Sequence, residues 1–131
     1  MKIYARRLAC LAISTGAAAV LLVGVSASAQ ANGRTAYAKH GAGKGYFKTH
    51  GDKFYIQDTK ADGHSAVLQW KVAGRQGDDW DRNGANNGWT VANRDFPEGA
   101  TVQYRACWGD WRSQYIQLSS CSQWVTTVNN S

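Results

Sequence analysis

Residues 51–72 read Gly-Asp-Lys-Phe-Tyr-Ile-Gln-Asp-Thr-Lys-Ala-Asp-Gly-His-Ser-Ala-Val-Leu-Gln-Trp-Lys-Val. In the second half, Ala66, Leu68, Trp70 and Val72 share one parity, while Ser65, Gln69 and Lys71 share the other with Val67 as its single apolar member. That period of two belongs to a strand with one face in a core and one in water. The first half, Lys53 to Asp58, carries Phe54, Tyr55 and Ile56, which suit a pleated surface. Ala61-Asp62-Gly63 between them has turn chemistry, so the expectation is a β-hairpin.

Toward the N-terminus, Gly45 to Thr49 offers a short strand through Tyr46 and Phe47. Residues Ala31 to Lys44 are rich in Gly, Ala, Asn and Lys, have Tyr37 as their one large apolar side chain, and follow no period. Residues 30–44 therefore read as a flexible N-terminal arm ahead of a domain at 45–131. Residues 1–29 read as a signal peptide. Lys2, Arg6 and Arg7 form a basic start, Leu8 to Val25 is apolar and uncharged, and Ala27-Ser28-Ala29 is a small-x-small cleavage pattern. The Arg6-Arg7 pair lacks a preceding polar residue, which favours general secretion over twin-arginine export. Cys10 sits too early for a lipid-modified cysteine, so the expected product is secreted and free, with no stable membrane insertion.

Toward the C-terminus, Ala73 to Gly88 is a Gly, Asp and Asn cluster that reads as a long loop. Gly88 to Asn93 looks like a strand, and Pro97 and Gly99 bracket a turn. Ala100 to Cys107 alternates again, with Val102, Tyr104 and Ala106 on one side. Trp108-Gly109-Asp110-Trp111 turns the chain before strands at Gln114 to Leu118 and Cys121 to Val128. Seven short strands with turns between them and no helical face predict an all-β protein. The expected architecture is a small antiparallel β-sandwich of immunoglobulin-like or jelly-roll outline.

Beyond the leader, twelve Lys and Arg stand against nine Asp and Glu, interspersed along the chain. Half of the +6 net charge thus belongs to the leader, and a nucleic-acid partner is not expected. Only Cys107 and Cys121 remain, and in an exported chain an even pair predicts a disulfide. A closed loop of about 14 residues gives such a bond roughly 3 kcal/mol of stabilisation.

Asp79-Trp80-Asp81-Arg82-Asn83-Gly84 matches the opening of a calcium loop, with Asp78 and Asn86 near enough to complete a site. The twelfth position is Thr90 instead of a bidentate Glu, and Asp and Asn also fill ordinary turns. No cofactor is expected. Six tryptophans are unusual for this length. Trp70 lies on a core parity and Trp124 is expected beside the disulfide. Trp80, Trp89, Trp108 and Trp111 lie in or beside loops, where indoles anchor partners or stack on sugars, though they would also cover a thin core. The histidines, His40, His50 and His64, have no spacing that builds an acid–base pair. Nor does the chain carry a Gly-x-Ser-x-Gly elbow, a His-Glu-x-x-His helix or a phosphate loop, so an enzyme is not expected.

Gly-Asp-x-Phe-x-Ile-x-Asp at Gly51 to Asp58, Ala-Asp-Gly-His-Ser-Ala-Val at Ala61 to Val67, and Cys107 with Cys121-x-x-Trp124 form a pattern. It resembles small exported single-disulfide proteins of filamentous actinomycetes such as Streptomyces, a resemblance that implies export and transfers no catalytic residue. In size, export and β character the chain is also similar to the adaptor subunit of secreted umbrella toxin particles, in which the arm would dock. The expectation is a secreted, non-catalytic domain that binds a protein or cell-envelope partner. Its alternatives are an antibacterial toxin component, as adaptor or as a small toxin such as a nuclease, and a carbohydrate-binding module.

Overall fold

The computed structural model describes residues 32–130, so the leader expected at 1–29 lies outside the described residues. The chain forms two antiparallel sheets packed as a sandwich, the architecture that its alternating runs predict. In chain order the strands are β1 (Ala36–Tyr37), β2 (Gly43–Lys48), β3 (Lys53–Asp58), β4 (Ser65–Val72), β5 (Arg75–Asp81), β6 (Thr90–Asn93), β7 (Thr101–Asp110), β8 (Tyr115–Gln117) and β9 (Val125–Val128). The first sheet runs β1-β2-β3-β6. The second runs β5-β4-β7, with β8 and β9 sharing the free edge of β7.

The expected hairpin between Lys53–Asp58 and Ser65–Val72 does not form. β3 pairs with β2 and β6, whereas β4 pairs with β5 and β7, so Thr59 to His64 carries the chain from one sheet to the other. The physical reason is that both strands have an apolar parity. Facing each other across the sandwich, they bury Phe54 and Ile56 against Leu68 and Trp70, and the Phe54 and Trp70 rings stack at 5.8 Å. Side by side in one sheet, the same faces would still need a second layer to cover them.

The hairpin that β4 does make is with β5. Val72 pairs with Arg75 around Ala73 (φ 50) and Gly74 (φ 79), the paired positive φ values of a type I′ turn. Residues 73–88 are therefore a turn and a strand before they become a loop. The polar Arg75 to Asp81 segment hides from periodicity because its inward side is Gly77, Asp79 and Asp81, not aliphatic.

The expected N-terminal arm is also corrected. From Asn32 onward the segment belongs to the domain, with Ala36, Ala38 and Ala42 buried in the main core and β1 paired to β2. Tyr104 donates its hydroxyl to the Arg34 carbonyl, and Gly33 N–H donates to Phe47 O at 3.0 Å. Small side chains do this work because the sheets approach closely there. A Cβ on Gly43 would lie 2.6 Å from the Ala66 Cβ, and one on Gly45 would lie 2.8 Å from Leu68 Cδ1. Among the described residues nine strands replace the expected seven, β1 and β5 being the additions.

The main core between the sheets contains Phe47, Phe54, Ile56, Leu68, Trp70, Val72, Phe96, Val102, Tyr104 and Val125. A second apolar cluster lies on the outer side of the five-stranded sheet. There Val67, Trp80 and the disulfide Cys107–Cys121 (Cα–Cα 4.1 Å) pack under Trp111 and Ile116. The disulfide does not join two strand ends. Cys107 lies inside β7, and Cys121 follows a 3-10 turn, Leu118–Ser120, that separates β8 from β9. Ser120 Oγ accepts Trp108 N–H at 2.9 Å and Ser122 Oγ accepts Ala106 N–H at 3.1 Å, so serine hydroxyls continue the ladder across the gap.

Candidate functional site

β2 and β3 turn Phe47, Phe54 and Ile56 inward, so their alternate residues must face out. Register then sets rows across the outer face of the four-stranded sheet. Tyr37, Lys44 and Gln57 form one row, Tyr46, Tyr55 and Val91 the next, and Lys48, Lys53 and Asn93 the third. Tyr46 and Tyr55 stack at 5.0 Å with their planes 13° apart. Trp89 stands edge-on to both, at 5.4 and 6.1 Å, with Lys44 Nζ 5.2 Å from the centroid of its ring. Tyr37, Trp89 and Val91 are exposed, Trp89 at 40%. Burial, and after it the neighbouring Tyr55, raises the Tyr46 pKa above the usual tyrosine value, so its hydroxyl stays a neutral donor. These nine outward positions hold three lysines and no carboxylate.

The four tryptophans singled out from the sequence do not make one surface. Trp89 belongs to the face just described. Trp80 is buried at 9% exposure and meets Trp111 at 5.6 Å over the disulfide, which makes this pair a cover for the second cluster. Trp108 is half-buried against the main core, and His64 stacks on it at 4.2 Å. Beside His64 lies a cleft of about 460 Å³ lined by Ser65, Arg82, Asp110, Trp111 and Arg112. Among the described residues no hydrogen bond joins His64 to Ser65 or Asp110, and Asp110 accepts the Arg112 backbone N–H at 3.0 Å instead. His40 and His50 sit in two other connections.

Asp79 and Asp81 do not form the opening of a calcium loop. They lie in β5 with both carboxylates facing inward, and protein donors occupy their oxygens. Asp79 accepts from Trp70 Nε1 at 2.9 Å and pairs with Arg94. Asp81 accepts from Asp58 N–H (2.8 Å), Asn83 N–H (3.0 Å) and Thr90 Oγ1 (2.9 Å). Among the described residues no group of three or more His, Cys, Asp or Glu is arranged to hold a metal ion.

Trp124, expected to pack beside the disulfide, instead leans over the outer face of the five-stranded sheet. Its ring lies 4.5 Å from Lys71 Nζ and 4.6 Å from the Arg105 guanidinium carbon. It helps to line a groove of about 410 Å³ with Gln69, Gln76 and Asp78. Tyr46, Tyr55 and Trp124 are surface-site residues that the sequence marks only as strand or disulfide neighbours. Parity carried the signal for the first two, since each is the outward neighbour of a core phenylalanine. Trp124 gave none, because its position depends on the break between β8 and β9. In comparisons with known proteins, no family model, curated protein or solved structure matches the chain.

Proposed function

We propose that the protein is a secreted, non-catalytic binding domain whose contact surface for a protein or cell-envelope partner is the outer face of the four-stranded sheet. One observation carries this reading. The Tyr46–Tyr55 stack braces Trp89 in an exposed aromatic ridge among Lys44, Lys48 and Lys53, on a face without a carboxylate at its nine outward positions. Braced aromatics lose little side-chain freedom on binding and are typical interface anchors. The lysines favour a partner with acidic groups. The tyrosines each give one ring face to the other, which leaves less of them for base stacking than for protein-like contacts. Export rests on the leader pattern of residues 1–29.

The test is equilibrium binding of the purified domain to isolated cell-wall and secreted-protein fractions. Trp89→Ala is expected to weaken binding by at least about tenfold. A Lys48→Gln, Lys53→Gln pair should weaken it further and flatten its salt dependence. Equal binding by Trp89→Ala would sink the proposal, as would hydrolysis of RNA or glycan by the purified chain with sensitivity to His64→Ala.

A further inference from the structure

On the far side of the sandwich, the outer face of the five-stranded sheet is graded along its strands. Register aligns Trp80, Val67 and Cys107 in one row, Asp78, Gln69 and Arg105 in the next, and Gln76, Lys71 and Gln103 in the third. The apolar first row is covered by Trp111 and Ile116. The polar rows remain open, and Trp124 reaches across β7 to stand over them.

Two cations converge on that one indole, Lys71 from β4 and Arg105 from β7. Neither forms an ion pair with another described residue. Arg105 is held in place by its Nε donating to Gln69 Oε1 at 2.9 Å. The ring offsets part of the mutual repulsion of the cations through its quadrupole, but an anion placed beside them would offset more. The remaining walls are the amides of Gln69 and Gln76 and the Asp78 carboxylate. Amides and a carboxylate suit hydroxyl groups, which both donate and accept. The volume, about 410 Å³, falls in the range of small-ligand clefts.

We infer that the groove beside Trp124 binds an acidic saccharide, a sugar chain bearing carboxylates, with Lys71 and Arg105 on the carboxylate and Gln69, Gln76 and Asp78 on the ring hydroxyls. A single-stranded nucleic acid shares the need for cations and an aromatic ring. The walls favour the saccharide, because Gln69, Gln76 and the Asp78 carboxylate can bind ring hydroxyls, which a sugar chain carries in greater number than a nucleic-acid backbone. This site lies on the opposite side of the sandwich from the tyrosine and lysine face, and it stands or falls separately from that reading.

The experiment titrates the purified protein with oligogalacturonate, oligomannuronate and hyaluronan oligomers, with neutral maltooligosaccharide and with a thymidine oligonucleotide, followed by tryptophan fluorescence and calorimetry. At least one acidic oligomer is expected to bind, to weaken as salt rises, and to bind at least about tenfold more weakly to Trp124→Ala and to the Lys71→Gln, Arg105→Gln double variant. Thermal melts of each variant show that it is folded before its affinity is read, and the separate Lys71→Gln and Arg105→Gln variants replace the double variant if that one is not. Failure of all three acidic oligomers to bind overturns the inference. So does maltooligosaccharide binding of equal strength, or tighter binding of the oligonucleotide.

Discussion

Asp79 accepts the indole N–H of Trp70 at 2.9 Å while Arg94, the residue after β6 of the other sheet, pairs with the same carboxylate through Nε at 3.3 Å and through a second guanidinium nitrogen. The Arg94 guanidinium also lies 5.2 Å from the centroid of the Trp70 ring, so three side chains close that end of the core as one unit. Asp79→Ala removes the partner of a mostly covered cation and of a buried indole donor together. The expected loss is about 3–5 kcal/mol, read by urea unfolding. Asp79→Asn keeps an acceptor for Trp70 and should lose less. Equal losses from the two variants would show that a neutral acceptor recovers nothing and that the charge on Asp79 carries the whole contribution.

The disulfide predicts its own ledger. Cys107 and Cys121 are 14 residues apart, so replacing both with Ala should cost about 3 kcal/mol, largely by freeing the unfolded chain. Ser120→Ala is a different case. Ser120 is buried, and its loss leaves Trp108 N–H without its acceptor, at a cost of roughly 1–3 kcal/mol. Denaturant melts of the two variants, with and without reductant, separate the contributions. Ser120→Ala should remain destabilising in the reduced protein.

Fold class was legible because parity is a local property. Ala66, Leu68, Trp70 and Val72 alternate, and so do Val102, Tyr104 and Ala106, and all of these residues are buried. Which strand faces which was not legible, because an apolar parity looks the same whether the strand finds its partner beside it or across the core. β3 and β4 show this directly. β1 and β5 escaped because their inward residues are Ala36, Gly77, Asp79 and Asp81, which are small or acidic and become core only through the neighbours that they meet. The site was harder still. Trp80, Trp89, Trp108 and Trp111 share a residue type but are divided between the two sheets. Tyr46 and Tyr55 come together only through a register that pairs β2 with β3.

Tyr104 links the N-terminal segment to the core, and it should dominate alkaline behaviour. Burial pushes its pKa up to about 12. With the folded value above the unfolded one, the stabilisation is complete below the unfolded value, near 10, and is lost as pH rises through the folded value. Tyr104→Phe leaves the Arg34 carbonyl without its donor and should cost roughly 1 kcal/mol at neutral pH. The variant should also show a flatter alkaline limb. Stability measured from pH 7 upward tests both effects, and an unchanged alkaline slope would assign that limb to other groups.

Asp58 sits at the point where β3 leaves its sheet. It is buried, with Oδ1 accepting Lys60 N–H at 3.1 Å. Burial raises its carboxyl pKa, and the charges of Asp62 and Asp81 act in the same direction, against the Lys60 N–H and His64. A raised carboxyl favours the folded state while it is protonated. Its contribution is full below the unfolded value and is lost as pH rises through the folded one. Asp58→Asn keeps an oxygen for Lys60 and stays neutral at every pH. It should therefore raise the melting temperature at pH 7, and the gain should shrink as acid protonates the native aspartate. Melting curves of both proteins from pH 7 down to the acid limb are the measurement. A gain that persisted unchanged into acid would mean that the asparagine stabilises through packing and that the buried charge at Asp58 is not a burden on the fold.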